Sequence, residues 1–375
     1  MGVSQVLAAA VQAGVVPGAA LAVVGPQGPL LLHHLGQAEL QPRPRPVQAD
    51  TAWDLASLTK ILATTPLALA LAEDGLLDLD RPLRALLPDA PEGVSARHCL
   101  QHSSGLPAWA PLFEEVIAER SSWGTASLRQ RLMQRARTIP AVAAPGRAHC
   151  YSDLGFLLLG AALEAAGGDR LDRLWEQRVR APMGQDLRWG WPGAAATEDC
   201  PERGRVLVGE VHDLNAAVMG GLAPHAGLFG DALAVASAGA WLLACGRGEA
   251  RGLRPETVQR AFTEAGPGSH RLGFDSRSPE GSSAGRHWPL DGVGHLGFTG
   301  TSLWLAPTQG VAVALCTNRV HPEVEGGARP GQPPGPRTLA FRALRPAVHE
   351  AVVEELRREG LWLQAGRPSG PFPIT

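Results

Sequence analysis

Residues 310–317 read GVAVALCT, and this stretch decides the fold. Small and larger apolar side chains alternate along it, as they do in a buried β-strand. Residues 301–305 (TSLWL) have strand character as well, and residues 306–309 (APTQ) connect the two runs. The sequence therefore predicts a buried pair of strands near the carboxyl end of the chain.

A second pair of apolar runs lies at the amino end. Residues 19–24 and 30–32 are predicted strands, joined by the turn GPQG at 25–28. A short amphipathic helix precedes them, and residues 346–358 are predicted to form a final helix. Strands at both ends of the chain predict one antiparallel sheet, built from both termini and flanked by the terminal helices.

The chain between these strands has a helical pattern. Residues 57–74 are predicted to form a helix that Pro66 kinks and that Gly75 ends, and Asp231 is predicted to cap a helix that runs to Cys245. The predicted fold class is therefore mixed α/β (α+β), an antiparallel sheet with an inserted all-helical lobe. The predicted domains are a sheet lobe of residues 1–56 and 216–375 and a mostly helical lobe of residues 57–215.

Composition narrows the classes of partner. The 375 residues carry a net charge of −2, which gives no reason to expect nucleic acid or an anionic membrane surface as a partner. Five scattered cysteines without a CxxC pair favour neither a disulfide framework nor a zinc site. The first basic residue is Arg43 and no long apolar run occurs, so we expect no signal peptide, no membrane span and a cytoplasmic protein.

The only lysine of the chain, Lys60, follows Ser57 by three residues in the segment SLTK, whereas the other basic residues are arginines. On a helix this spacing places both side chains on one face. A lysine can lose its proton in a desolvated site, whereas an arginine cannot. The only tyrosine, Tyr151, begins the triplet Tyr151-Ser152-Asp153. The two residue types that occur once each thus lie in short motifs typical of nucleophilic catalysis.

Further motifs follow these two in a fixed order. They are LQHSSGLP at 100–107, PG at 145–146, GEVHD at 209–213, HAGLF at 225–229 and HLGFTGTSLW at 295–304. With Ser57-x-x-Lys60 and the Tyr151 triplet they resemble the serine β-lactamase and penicillin-recognising hydrolase superfamily, in its class C-like branch. That branch contains class C β-lactamases, D,D-carboxypeptidases, D-aminopeptidases and esterases. The resemblance extends over nearly the whole chain and implies an antiparallel sheet, an all-helical lobe and an active site between them.

The resemblance also implies roles for individual residues. Ser57 would be the nucleophile that forms an acyl-enzyme, Lys60 would assist its deprotonation, and Tyr151 would act as general base. Gly297 would let the edge strand approach the substrate closely. The backbone N–H groups of Ser57 and Phe298 would form the oxyanion hole.

Two residues depart from the family pattern. Asp153 stands where the family has Asn, and a carboxylate near Lys60 should raise the pKa of that lysine. We therefore hypothesise that Tyr151 is the working base and that Lys60 stays charged to stabilise its phenolate. His295 stands where lactamases and D,D-peptidases commonly have the Lys that binds a substrate carboxylate. A largely neutral histidine is a weaker anchor, which favours substrates without a strongly recognised carboxylate.

The sequence thus predicts a serine hydrolase acting on small-molecule esters or amides, without metal or organic cofactor. The alternatives are a D,D-carboxypeptidase, D-aminopeptidase or weak β-lactamase acting on a peptide or β-lactam, and a non-catalytic binding or scaffold relative. The G-x-G-x-x-G match at 292–297 lacks the helix that a dinucleotide site requires. His98 and His102 have the spacing of metal ligands, but Cys99 stands where a metalloprotease has Glu. A Schiff base on Lys60 ranks low because no phosphate-binding loop accompanies it.

Overall fold

The computed structural model describes residues 1–325 and 333–362. The β-strands of these ranges are β1 Gly18–Gly25, β2 Gly28–Glu39, β3 Arg45–Pro46, β4 Trp53–Asp54, β5 Arg188–Trp189, β6 Ala196–Cys200, β7 Arg205–Val208, β8 Leu228–Gly230, β9 Asp275–Ser276, β10 Val293–Leu296, β11 Ser302–Ala306 and β12 Val311–Thr317. The α-helices are α1 Val3–Gln12, α2 Thr65–Glu73, α3 Ala96–Leu100, α4 Ala126–Arg137, α5 Asp153–Gly167, α6 Leu171–Trp175, α7 Ala181–Met183, α8 Leu214–Val218, α9 Ala232–Gly246, α10 Pro255–Thr263 and α11 Pro336–Arg358. Two π-helical turns, Lys60–Thr64 and Glu176–Arg180, and three 3-10 segments, Leu83–Ala85, Leu112–Ser122 and Pro307–Gln309, complete the regular structure of these ranges.

One sheet joins the two ends of the chain. Its strand order is β3-β2-β1-β12-β11-β10-β9, and every neighbouring pair is antiparallel. The N-terminal β1 lies beside the C-terminal β12, with Ala19 opposite Thr317. The predicted antiparallel sheet built from both termini is confirmed, and so is the mixed fold class.

The alternation of small and large residues along β12 reflects two different packing surfaces. The larger side chains join α1 and α11 in one core, and these residues are Val311, Val313 and Leu315. The small ones face the other core, which contains α9, and these residues are Ala312, Ala314 and Cys316. Small side chains on this face of β12 leave room for α9 to approach the sheet closely. As predicted, Asp231 caps α9 by accepting a hydrogen bond from the Ala234 N–H at 2.8 Å.

The inserted part of the chain needs one correction. Residues 57–215 contain α2 to α7, but they are not all helical. They also contain β5, which pairs with β8, and the hairpin β6–β7. Strands of two to five residues are too short to produce a periodic pattern, which is why the sequence did not reveal them. The lobe boundaries at 56/57 and 215/216 stay a prediction.

The helix that carries Lys60 differs from the predicted kinked α-helix. A π-helical turn, Lys60–Thr64, leads directly into α2, and Pro66 stands in the first turn of α2. Proline has no N–H to donate, so the carbonyl of Leu62 needs another partner. The indole N–H of Trp175 donates to it at 3.1 Å. The helix ends at Glu73, and Gly75 follows with φ +72°, as predicted for the residue past a helix end.

The final helix is longer than the sequence predicts. It begins at Pro336, and Pro346 lies inside it rather than at its start. The first half is held by tertiary packing, since Phe341, Leu344 and Arg345 are buried. Burial of these residues outweighs the break that a proline usually imposes.

Some predictions concern residues outside the described ranges. The Gly- and Pro-rich loop at 326–336 is described only from residue 333, and the final residues 366–375 lie outside altogether. In the part of the chain that is described, every helix is too short or too polar to cross a lipid bilayer. The five cysteines are free, and all but Cys150 are buried.

Close packing of α9 on the sheet makes a testable prediction. A β-carbon added at Gly239 would lie 2.6 Å from Leu305 Cδ2, 3.0 Å from Leu303 Cδ1 and 3.1 Å from Ala312 Cβ. Alanine gains about 1 kcal/mol over glycine in helix propensity, but overpacking costs roughly 1–3 kcal/mol. We expect Gly239→Ala to lower the free energy of unfolding by about 1 kcal/mol in urea titrations. Ser237→Ala on the same helix, which adds no atom, should stay within about 0.5 kcal/mol of wild type. A Gly239→Ala protein as stable as wild type would contradict this packing.

Candidate active site

Ser57 lies at a strained turn between β4 and the helix that follows. Ala56, the residue before it, has φ +46°, a left-handed conformation that costs energy in a residue with a β-carbon. The Asp54 carboxylate holds this turn by accepting hydrogen bonds from the N–H groups of Ala56 at 2.8 Å and His212 at 2.6 Å. The turn presents Ser57, which is partly exposed, at the start of the helix that buries Lys60.

Lys60 is fully buried and its ammonium group has several partners. Its Nζ donates to Ser57 Oγ at 2.9 Å and to the carbonyl oxygen of His225 at 3.2 Å. The same Nζ lies 2.7 Å from Asp153 Oδ1, forming an ion pair. It also lies 5.0 Å from the centroid of the Tyr151 ring. The amine therefore links the candidate nucleophile to both ends of the Tyr151 triplet.

Tyr151 reaches the same point from the start of α5. Its hydroxyl group forms hydrogen bonds with Ser57 and Lys60. The next residue, Ser152, caps α5 by accepting the Gly155 N–H at 3.0 Å, and it donates to the carbonyl oxygen of Pro107 at 2.6 Å. These contacts fix the backbone on which Tyr151 and Asp153 stand. The hydroxyl, amine and phenol predicted from separate motifs thus lie within hydrogen-bonding reach of one another.

The charges of this group shift two pKa values upward. Burial by itself would lower the pKa of Lys60, but the Asp153 carboxylate and Tyr151 outweigh it and raise that pKa. Burial raises the pKa of Tyr151 as well; the Asp153 charge adds to this and the Lys60 charge opposes it. At neutral pH the resting site therefore holds an ammonium group and a neutral phenol. The sequence predicted the upward direction for Lys60 correctly.

Two backbone N–H groups are free to bind an anion. Among the described residues, the N–H groups of Ser57 and Phe298 donate no hydrogen bond to the protein. Phe298 lies in the turn between β10 and β11, and this turn is fastened to the strand before Ser57. Thr301 Oγ1 donates to the carbonyl oxygen of Leu55 at 3.1 Å, and Thr299 Oγ1 to that of Asp54 at 2.7 Å. The two segments that carry the free N–H groups are thus held together.

Gly297 has a structural reason to be glycine. A β-carbon there would overlap Thr301 Oγ1 and would lie 2.7 Å from the carbonyl oxygen of Leu55. The predicted reason, close approach of a substrate to the edge strand, stays a prediction. The structure adds that no side chain fits between this turn and the strand that leads to Ser57.

His295 lies in β10 beside Tyr151, with their ring centroids 5.7 Å apart. It is buried, and its Nδ1 donates a hydrogen bond to the carbonyl oxygen of Leu296 at 2.8 Å. Burial and the nearby charge of Lys60 lower its pKa well below the usual range. The ring is therefore neutral at pH 7, in line with the expectation that it is a weak anchor for a carboxylate.

Two further histidines surround Tyr151, and the sequence did not reveal one of them. One ring nitrogen each of His102, His270 and His295 lies within 4.8 Å of the other two. Burial lowers the pKa of all three, that of His270 to about 3, so all are neutral. His270 lies far from any motif, and only its position in the folded chain brings it here.

The histidine cluster of His102, His270 and His295 has too few free lone pairs for a catalytic metal site. A zinc ion needs lone pairs from neutral imidazoles. His102 Nδ1 accepts the Ser152 N–H at 2.9 Å, so its proton is on Nε2, and a protonated nitrogen has no lone pair for a metal ion. His295 donates from Nδ1 and so keeps a lone pair on Nε2, and His270 keeps one there only in the tautomer that donates from Nδ1 to His149, so at most these two imidazoles could ligate. Two imidazoles are fewer than the three protein ligands of a catalytic zinc site.

His98, Asp213 and His225 have structural contacts. His98 Nδ1 lies 3.1 Å from Ser95 Oγ at the start of α3. His225 Nε2 lies 3.0 Å from Asp213 Oδ1, and Asp213 caps α8. Burial opposes ionisation of Asp213, but His225 and the capping hydrogen bond lower its pKa to about 2. Residues 292–297 form β10 and a turn, with no helix after them, so the dinucleotide interpretation fails.

Comparison with known proteins gives one family. A family model described as Beta-lactamase matches residues 3–332. An N-acetylmuramyl-L-alanine amidase of Bacillus subtilis (strain 168) is 30% identical over 353 residues, which cover 84% of this chain and 79% of that protein. A putative D-alanyl-D-alanine carboxypeptidase of Salmonella agona (strain SL483) is 27% identical over 322 residues, covering 73% and 71%.

A solved structure shows the same fold. EstCE1, described as a hydrolase with promiscuous acyltransferase activity, superimposes with a TM-score of 0.71 over 93% of this chain and 97% of that one. The two sequences are 18% identical, so this likeness concerns the fold.

The single tyrosine allows a direct test of the site's electrostatics. The ultraviolet absorbance of tyrosinate reports Tyr151 alone, and we expect it to titrate above the usual value of about 10. Asp153 raises the pKa of Tyr151 and Lys60 lowers it, so Asp153→Asn should move the titration to lower pH and Lys60→Met to higher pH. Asp172→Asn, which removes a carboxylate paired with Arg170, should leave it unchanged. Identical titrations in all four proteins would contradict the proposed geometry.

Proposed function

The chain belongs to the beta-lactamase family, and we propose that it is a serine hydrolase that acts through an acyl-enzyme on small esters or amides. The contact that supports this most directly is the 2.9 Å hydrogen bond between Lys60 Nζ and Ser57 Oγ, with the Tyr151 hydroxyl bonded to both groups. A nucleophile, a proton acceptor and a charge that stabilises the acceptor are the parts that nucleophilic catalysis requires. A scaffold protein has no need of this arrangement.

In the proposed reaction Ser57 Oγ attacks the substrate carbonyl carbon, and its proton passes to deprotonated Tyr151. The N–H groups of Ser57 and Phe298 bind the oxyanion of the tetrahedral intermediate. The intermediate expels the alcohol or amine, which takes the proton from Tyr151. Water then attacks the acyl ester, the carboxylic acid leaves, and Ser57 regains its proton. Lys60 keeps its proton throughout and stabilises the phenolate form of Tyr151.

The raised pKa values of Lys60 and Tyr151 limit the fraction of the protein that is in the active protonation state. Both Lys60 and Tyr151 are protonated at rest at neutral pH, so the active form is a minor species. Its population grows as pH rises, because a raised pKa keeps the proton on the group until higher pH. The rate should therefore increase towards alkaline pH.

The proposed preference for esters or amides without a recognised carboxylate rests on His295. This ring is buried and neutral, so it offers no charge to a substrate carboxylate. Phe298, 40% exposed, stacks on His212 with ring centroids 5.5 Å apart and gives the edge of the site an apolar surface. A neutral and partly apolar cleft suits an uncharged ester or amide.

A second candidate function is hydrolysis of a peptide or β-lactam that carries a carboxylate. The relatives named as an amidase and as a putative carboxypeptidase favour it. Arg319 also favours it, since this partly exposed cation lies 5.1 Å from the Phe298 ring centroid at the edge of the site. Binding of a carboxylate by Arg319 would replace the charge that His295 lacks.

A fluorophosphonate probe tests whether Ser57 is the nucleophile. We expect covalent labelling of the wild type at the peptide that contains Ser57, measured by mass spectrometry, and no labelling of Ser57→Ala. Ser103→Ala, which removes a buried serine without a proposed role, should be labelled like wild type. Labelling that persists in Ser57→Ala would overturn the assignment.

Parallel assays with a short-chain nitrophenyl ester, a chromogenic cephalosporin and a D-alanyl-D-alanine peptide would then separate the two candidate functions.

Tyr151→Phe tests the identity of the base. Loss of a general base typically costs about 10²–10⁴-fold in rate. We expect a fall of this size in kcat for the best of the three substrates, with loss of the alkaline increase in the pH–rate profile. A Tyr151→Phe enzyme with the full rate and an unchanged profile would show that Lys60 is the base.

A further inference from the structure

A buried arginine lies directly behind one of the two free N–H groups. Arg345, in the first half of α11, donates from Nη2 to the carbonyl oxygen of Gly297 at 2.9 Å and to that of Thr301 at 3.0 Å. The Gly297 carbonyl and the Phe298 N–H belong to the same peptide group. They point in opposite directions, because that group is planar and trans. The guanidinium thus binds the carbonyl oxygen on one side of this peptide group, and the free N–H of Phe298 points to the opposite side.

Among residues 1–325 and 333–362, no acidic side chain forms an ion pair with Arg345. The side-chain charges that act on it are those of Arg319 and Arg342, and both are positive. Burial lowers its pKa to about 9, which still leaves it charged at pH 7. Burying a charge without a counter-ion is costly. The carbonyl oxygens that accept from Arg345 and the Phe341 ring, whose centroid lies 4.7 Å from the guanidinium carbon, offset part of this cost.

The surrounding hydrogen bonds leave the peptide little freedom. The Gly297 carbonyl oxygen also accepts the Gly300 N–H at 3.1 Å, and the Gly297 N–H donates to the carbonyl oxygen of Thr301 at 2.8 Å. Arg319 Nε donates to the carbonyl oxygen of Phe298 at 2.9 Å. The carbonyl oxygens of Gly297 and Phe298 are therefore each bound by a guanidinium group, that of Arg345 and that of Arg319. These bonds fix the orientation of the Phe298 N–H, which lies between the two carbonyls along the chain.

We propose that Arg345 is a positioning residue of the oxyanion hole, which polarises the Gly297–Phe298 peptide so that its N–H binds the tetrahedral intermediate more tightly. Hydrogen bonds in a chain strengthen one another, and a cationic donor on the oxygen makes the N–H of the same peptide a stronger donor. The effect is larger for a charged oxyanion than for a neutral carbonyl, so Arg345 acts on the transition state more than on the bound substrate. This inference rests on the proposed function.

Arg345→Met, which removes the charge and keeps the length, tests the proposal. We expect kcat, and the affinity for a boronic acid that adds to Ser57, to fall together on the order of 10-fold, with KM for the ester nearly unchanged. Arg345→Lys, which keeps the charge, should recover part of both losses. Arg45→Met is the matched control, because Arg45 also donates to two backbone carbonyl oxygens, those of Gly193 and Ala194. It should leave both quantities unchanged.

The Phe298 amide gives a readout that does not depend on activity. In the 15N-labelled protein without ligand, its proton resonance should move to lower frequency in Arg345→Met and not in Arg45→Met. A folded Arg345→Met protein with unchanged boronate affinity and an unchanged Phe298 resonance would overturn the proposal. If Arg345→Met does not fold, Arg345→Gln, which also removes the charge, replaces it: a wild-type Phe298 resonance and wild-type boronate affinity in a folded Arg345→Gln protein would overturn the proposal too.

Failure of the proposed function would look different. A wild type that neither hydrolyses the substrates nor binds the boronic acid would refute the hydrolase. In that case, movement of the Phe298 resonance in Arg345→Met would still show that Arg345 polarises this peptide.

Discussion

The ion pair between Lys60 and Asp153, with Nζ and Oδ1 2.7 Å apart, is the interaction on which the site depends. A fully buried ammonium group is costly unless it is paired and hydrogen-bonded. Asp153 and the carbonyl oxygen of His225 compensate this charge, and the remaining N–H lies between the Ser57 and Tyr151 hydroxyl groups, which share it. The pair also joins the π-helical turn that carries Lys60 to the first turn of α5, so the candidate nucleophile and the phenol are held in register.

The backbone around this pair is held by unusual local features with tertiary partners. Pro66 frees the carbonyl of Leu62, and Trp175 binds it from another helix. Ala56 adopts a left-handed conformation next to Ser57, and Asp54 holds it there. Strain and irregular helical turns of this kind persist only where surrounding contacts fix them, and they cluster at functional sites.

The electrostatics of the site follow from one charged pair, Lys60 and Asp153, that is surrounded by neutral side chains. His102, His270 and His295 are uncharged because burial lowers their pKa values, so Lys60 and Asp153 dominate the local field. Arg345 adds a positive charge behind the Gly297–Phe298 peptide, on the side opposite to the free N–H of Phe298. In our proposal the negative charge of the intermediate therefore develops between two fixed positive groups, and no rearrangement is needed when the reaction occurs.

The sequence by itself determined the strands at both ends, the cap at Asp231 and the motifs that contain Ser57, Lys60, Tyr151, Asp153, His295, Gly297 and Phe298. These features have local signatures: apolar periodicity, a capping side chain, or a short motif. The tertiary structure alone decided the strands β5, β6 and β7, the start of α11 at Pro336, and the positions of His270 and Arg345 beside the site. Short strands and a proline within a helix carry no reliable local pattern, since packing against distant residues stabilises them. His270 and Arg345 contact residues far away along the chain, His102 and Gly297 among them, and such contacts exist only in the folded protein.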